Sequence, residues 1–198
     1  AIYNNVTHIK EFIPSNVEIF AVVKANAYGH DYVPVAKTAL EAGATRLAVA
    51  FLDEALVLRR AGITVPILVL GPSPPRDVNV AAENDVALTV FQKEWVDEAI
   101  KLWDGSSVMK FHINFDSGMG RIGIRERKEL KEFLKSLEGA PFLELEGVYT
   151  HFATADEVET SYFDKQYNTF LEQLSWLKEF GVDPKFVHTA NSAATLRF

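Results

Sequence analysis

Residues 18–43 read EIFAVVKANAYGHDYVPVAKTALEAG. An apolar, β-branched run over 18–25 predicts a strand, the small polar stretch ANAYGH predicts a loop, and 35–42 returns to helical period before Gly43. That is one strand–loop–helix unit, and the chain repeats it. Further apolar runs predict strands at 46–51, 66–70, 86–91, 109–115, 145–152 and 186–191. Between them, helical period recurs at 54–61, 78–83, 94–103, 126–137 and 162–180, most often ending near a glycine (Gly62, Gly105, Gly139, Gly181). Alternating units of this kind predict an α/β fold with a parallel sheet and crossover helices. Stretches such as AVV and ILVL are apolar throughout, which suits burial on both faces.

Seven strands fit either an open doubly wound sheet or an eight-stranded TIM-type barrel. A full barrel needs ~250 residues, so a chain of 198 residues predicts a (β/α)8 barrel truncated before its eighth strand. The ends agree. Ala1 opens inside an amphipathic pattern (Ile2, Val6, Ile9, Phe12, Ile13), and the helical run 193–198 stops without a cap. The expectation is one partial barrel domain over 1–198.

Composition narrows the chemistry. Hydrophobic residues make up 48% and charged residues 24%, ordinary values for a globular chain. A net charge of −7 argues against nucleic acid, whose binding is driven by cationic contacts to phosphate. No apolar run approaches the ~20 residues that span a bilayer, so no membrane is expected. The chain has no cysteine, which removes disulfides, zinc–thiolate sites and thiol nucleophiles and fits a cytoplasmic location.

Unusual polar residues gather at the carboxyl ends of the predicted strands, the face on which barrels place their ligands. Lys24 ends AVVK, on the strand face shared with Phe20 and Val22. Apolar surroundings would disfavour its charged form and make it a nucleophile or base; alone, it would equally be a lysine snorkelling to water. Asp116–Gly123 reads DSGMGRIG and contains a literal G-x-G-x-x-G. The dinucleotide reading fails: an acid would face the pyrophosphate, the next helix starts too late, and this is strand five. The stretch instead predicts a glycine-rich loop presenting Arg121 as a cationic fork. His151 ends strand six, whereas His8, His30, His112 and His188 read as hydrogen-bonded core residues. No spacing suits a metal. Ser192 opens the last helical run, either as a plain N-cap or at a phosphate site after strand seven.

Together, AVVKANAYGH, DSGMGRIG, THFATAD and HTANSAA resemble, in order and spacing, the signatures of the bacterial alanine racemase family. The resemblance covers the whole chain. It implies a barrel that carries pyridoxal 5'-phosphate, followed by a β-rich C-terminal domain that this chain lacks, and interconversion of L- and D-alanine for cell-wall peptidoglycan. By position, Lys24 is the lysine that carries the cofactor and acts as base on D-alanine. Tyr28 and Ser192 bind the cofactor phosphate. Arg121 meets the cofactor's phenolic oxygen and the substrate carboxylate, and His151 lies beside the ring. The second base, a tyrosine of the partner subunit's C-terminal domain, implies a homodimer and an inactive fragment.

One position departs from the family. Many members carry a carbamylated lysine seven residues before the Arg121 position, and here that residue is Asn114. The expectation is that a bound anion such as chloride, or ordered water, takes the carbamate's place; the plainer alternative is that Asp116 pairs with Arg121 directly. The alternative readings are a non-catalytic pyridoxal phosphate homeostasis barrel, which lacks the ANAYGH tyrosine, and a fold-related amino-acid decarboxylase, which needs a different loop at 116–123.

Overall fold

The computed structural model describes all 198 residues, Ala1–Phe198. Its seven strands are β1 (Phe20–Val22), β2 (Arg46–Val49), β3 (Ile67–Pro72), β4 (Val86–Thr89), β5 (Met109–Asn114), β6 (Leu143–Tyr149) and β7 (Phe186–His188). They form one sheet in the order β1-β2-β3-β4-β5-β6-β7. The registered pairs β1–β2, β2–β3, β3–β4 and β6–β7 are parallel. A doubly wound sheet reverses its strand order at a switch point; an order that follows the chain is that of the TIM-type barrel.

Helices α1 (Ile2–Phe12), α3 (Tyr32–Glu41), α4 (Leu52–Arg60), α5 (Val78–Glu83), α6 (Lys93–Leu102), α7 (Arg127–Leu137), α8 (Ser161–Glu179) and α9 (Ser192–Arg197) fall within a few residues of the predicted segments. Strands β1, β6 and β7 each end three residues short of the predicted runs, so His151 lies two residues beyond β6 and does not end it. The first strand ends at Val22, and Lys24 opens α2 (Lys24–Tyr28). Lys24 therefore does not share a strand face with Phe20 and Val22.

The chain divides into two compact units, Ala1–Thr89 with Asp104–Lys110, and Val90–Trp103 with Phe111–Phe198. In the first, β2 and β4 are buried along their whole length, as suits strands that are apolar but for Arg46 and Thr89. Ala55 and Leu58 of α4, with Val78 and Ala81 of α5, are fully covered in the same unit. Arg46, the one charge in β2, is matched by Glu18 at 2.6 Å.

The second unit is built around aromatic residues. Phe111 and Phe115 meet Phe133 and Phe170 edge-on at 6.2 Å, a favoured geometry for ring quadrupoles. The opposite side of β5 is polar and buried: His112 lies 2.9 Å from Glu146 and 3.0 Å from His188. A buried stripe runs down α8 through Phe163, Gln166, Phe170, Gln173 and Leu177, at spacings of three and four.

Candidate active site

Lys24 and Tyr28 belong to the first unit. Immediately after Lys24 the backbone turns left-handed: Ala25, Asn26, Ala27 and Tyr28 have φ of 52°, 54°, 52° and 55°, and Gly29 follows at 90°. For residues with a Cβ this conformation costs about 1–2 kcal/mol each, and it is normally found singly rather than in runs. Four in a row must be held from outside.

Glu54 holds them. This carboxylate, buried at the start of α4, accepts the Ala25 N–H at 2.7 Å and the Tyr32 hydroxyl at 2.9 Å through Oε1. Through Oε2 it accepts the N–H groups of Ala50 and Phe51 at 2.6 and 3.1 Å. Burial pushes the Glu54 carboxyl up, but the three backbone N–H groups and the Tyr32 hydroxyl outweigh it and leave the group below its ordinary range. From the other side of the turn, Asn26 Oδ1 accepts the Tyr32 N–H at 3.1 Å. The turn is thus tied to the starts of both α3 and α4, and it sets Lys24 and Tyr28 four residues apart. Tyr28 is exposed, and Lys24 is half-buried without an ion pair in the chain.

Arg121, His151 and Ser192 belong to the second unit. The Asp116–Ile124 loop is closed by its own first residue. Asp116 Oδ1 accepts the N–H groups of Gly118 and Gly120 at 3.1 and 2.9 Å, and Oδ2 accepts Arg125 Nε at 2.8 Å. Burial raises the Asp116 carboxyl, but these donors prevail and hold it low. The loop also bridges back onto β5, with Asp116 N–H to Ile124 O and Ile124 N–H to Asn114 O, both at 3.0 Å. Gly123 permits this closure. Its φ is 118°, and a Cβ there would stand 2.4 Å from Asn114 Oδ1 and 2.7 Å from Asp116 N. Arg121 is left exposed at the rim of a small cavity that Asn114, Met119, Ile122 and His151 also line.

One alternative is removed here and one expectation corrected. Asp116 pairs with Arg125 and not with Arg121, because its second oxygen is committed to that guanidinium. Ser192 is not the helix cap: Asn191 Oδ1 accepts the Ala194 N–H at 2.9 Å, and Ser192 is the first helical residue. The Asn191 amide also reaches the Phe152 carbonyl at 3.4 Å, which ties the start of α9 to the loop after β6.

The glutamines of α8 complete the second unit's scaffold. Gln166 accepts the Ala153 N–H at 2.8 Å and donates to the His151 carbonyl at 3.1 Å and to Ser117 Oγ at 3.4 Å. Gln173 donates to the Asp116 carbonyl at 3.2 Å. Neither glutamine, nor Glu54, stands out in the motifs. The available signal is that both glutamines fall on the apolar stripe of a long helix.

The strand order defines an α/β protein of TIM-barrel type, with polar residues gathered just beyond the carboxyl ends of its strands. More specifically, the chain belongs to the family described as "Alanine racemase, N-terminal domain", whose profile matches residues 1–198. It is 56% identical over its full length to an alanine racemase of Geobacillus kaustophilus and 55% identical to one of Geobacillus stearothermophilus. A crystal structure of alanine racemase from Bacillus anthracis with bound L-Ala-P superimposes with a TM-score of 0.99 at 96% identity, covering 100% of this chain and 51% of that one. The chain spans about half the length of the curated relatives it matches.

Proposed function

We propose that the chain is the cofactor-bearing part of a pyridoxal 5'-phosphate-dependent alanine racemase. The donor set suits that cofactor: an amine from Lys24, hydroxyls from Tyr28 and Ser192, and a guanidinium from Arg121. When bound, the cofactor serves as the electron sink that makes the substrate's α-hydrogen acidic. Lys24 carries it, and its amine takes and returns the proton at the α-carbon on the D-alanine face. Tyr28 and Ser192 donate to phosphate oxygens. Arg121 binds the phenolic oxygen and the substrate carboxylate, which offers a fixed fork two acceptors. With Asp116 committed to Arg125, an anion or ordered water beside Asn114 would take the place that an acidic partner of Arg121 would otherwise fill. His151 packs beside the ring.

Racemisation needs a second base on the opposite face, and a tyrosine of a partner subunit in a homodimer supplies it. The reaction takes place in the cytoplasm, and its product, D-alanine, supplies cell-wall peptidoglycan. The observation that carries this reading is the AVVKANAYGH segment, in which Lys24 opens a left-handed turn that ends in Tyr28. The relative at 96% identity, solved with bound L-Ala-P, supports an alanine-sized ligand.

The test uses the complete protein that contains this chain. Borohydride reduction after loading with pyridoxal 5'-phosphate is expected to fix the cofactor on the peptide containing Lys24, and Lys24→Ala to abolish both that label and racemisation. A label on another lysine, or one retained in Lys24→Ala, would overturn the assignment.

A further inference from the structure

We infer that Glu54 is a positioning residue for Lys24, acting through the left-handed turn at Ala25–Tyr28. The inference rests on the proposed role of Lys24. Glu54 touches neither Lys24 nor Tyr28 by any hydrogen bond; its grip is on the backbone between them. The Ala25 N–H belongs to the residue directly after Lys24, and at a helix start that group has no partner within the helix. Glu54 Oε1 accepts it at 2.7 Å. The same oxygen takes the Tyr32 hydroxyl at 2.9 Å, and Tyr32 is in turn tied to the turn through Asn26 Oδ1. The other oxygen takes Ala50 and Phe51 N–H groups, just beyond β2.

One buried carboxylate therefore joins three pieces of the chain: by backbone, the residue after Lys24 and the segment between β2 and α4; by the Tyr32 hydroxyl, the start of α3. It has four donors on two oxygens. Glutamine in its place presents an NH2 group to one pair of donors, so half of the clamp turns from acceptor to donor. Freed from that side, Ala25 and its neighbours return toward right-handed or extended backbone, which the Cβ atoms favour, and the Lys24 amine loses its fixed starting point.

The test compares Glu54→Gln, Tyr32→Phe and Leu58→Ala in the complete protein. Leu58 is fully buried four residues further along α4 and takes no part in the turn's hydrogen bonds, so it reports on stability alone. Two readouts are taken: affinity for pyridoxal 5'-phosphate by visible absorbance, and hydrogen exchange of the Ala25 amide without cofactor. Glu54→Gln is expected to weaken affinity and to speed exchange at least tenfold each, and Tyr32→Phe about threefold. Leu58→Ala is expected to lower the thermal midpoint while leaving both within twofold. Wild-type affinity and exchange in Glu54→Gln, or losses of equal size in Leu58→Ala, would overturn the inference. If Glu54→Gln does not fold, Tyr32→Phe decides: values unchanged from wild type reject it. A wild-type protein that takes up no cofactor would sink the proposed function and leave the exchange measurement to judge the clamp.

Discussion

Ala25 occupies the left-handed region without being glycine, and its side chain is exposed. A glycine there keeps the N–H that Glu54 accepts and loses the Cβ that disfavours positive φ. Ala25→Gly is therefore expected to stabilise the protein by about 1 kcal/mol, the reverse of the usual effect of glycine in a helix, as measured by the midpoint of urea unfolding. Asp116 makes a second case, with an opposite sign. Its donors hold the carboxyl below the ordinary value of 3.8, so its contribution is fully present above that value and is lost as the pH falls through the lower native one. Asp116→Asn is expected to be less stable than wild type at pH 7, and the gap to close on acidification below about pH 4. A constant gap across that window would refute this account. The ends of strands were legible to within a few residues: Lys24 and His151 each lie two residues beyond a strand, and Arg121 lies in the loop after β5. Glu54 was not, because nothing local marks a helix-start glutamate that reaches 29 residues back to Ala25.

At the scale of elements, α8 shows how a helix can carry both packing and a site. Its apolar positions pack the second unit's core, as with Phe170 on Phe115, while Gln166 laces the loops after β5 and β6. Gln166→Leu preserves much of the volume but strips the Ala153 N–H and the His151 carbonyl of their partner. The expected cost is about 2–3 kcal/mol, read as a lower urea midpoint, with faster amide exchange at Ala153. Periodicity placed this helix to within one residue at each end, because a long amphipathic stripe is a strong signal. It did not foresee α2, since a left-handed turn has no hydrophobic period and its residues are ordinary helix formers. The β1 boundary moved for the same reason: AVVK reads as continuous strand, and only the turn's grip on Ala25 shows that pairing stops at Val22.

For the whole molecule, the repeating unit and the seven strands were legible, yet periodicity does not say how a sheet is ordered. Chain length favoured the barrel, and the observed order of strands agrees with it. That order has a consequence for how the chain is made. Within residues 1–89, β1 pairs with β2, β2 with β3 and β3 with β4, so each new strand finds a partner in the one made just before it. Each pairing closes a loop of modest length, and loop-closure entropy grows only slowly with size. A chain leaving the ribosome at ~5–20 residues per second can add each strand to the one before it. The growing sheet then leaves unpaired only the outer edge of β1 and that of its newest strand, which limits the edge that a nascent chain offers its neighbours on a polysome.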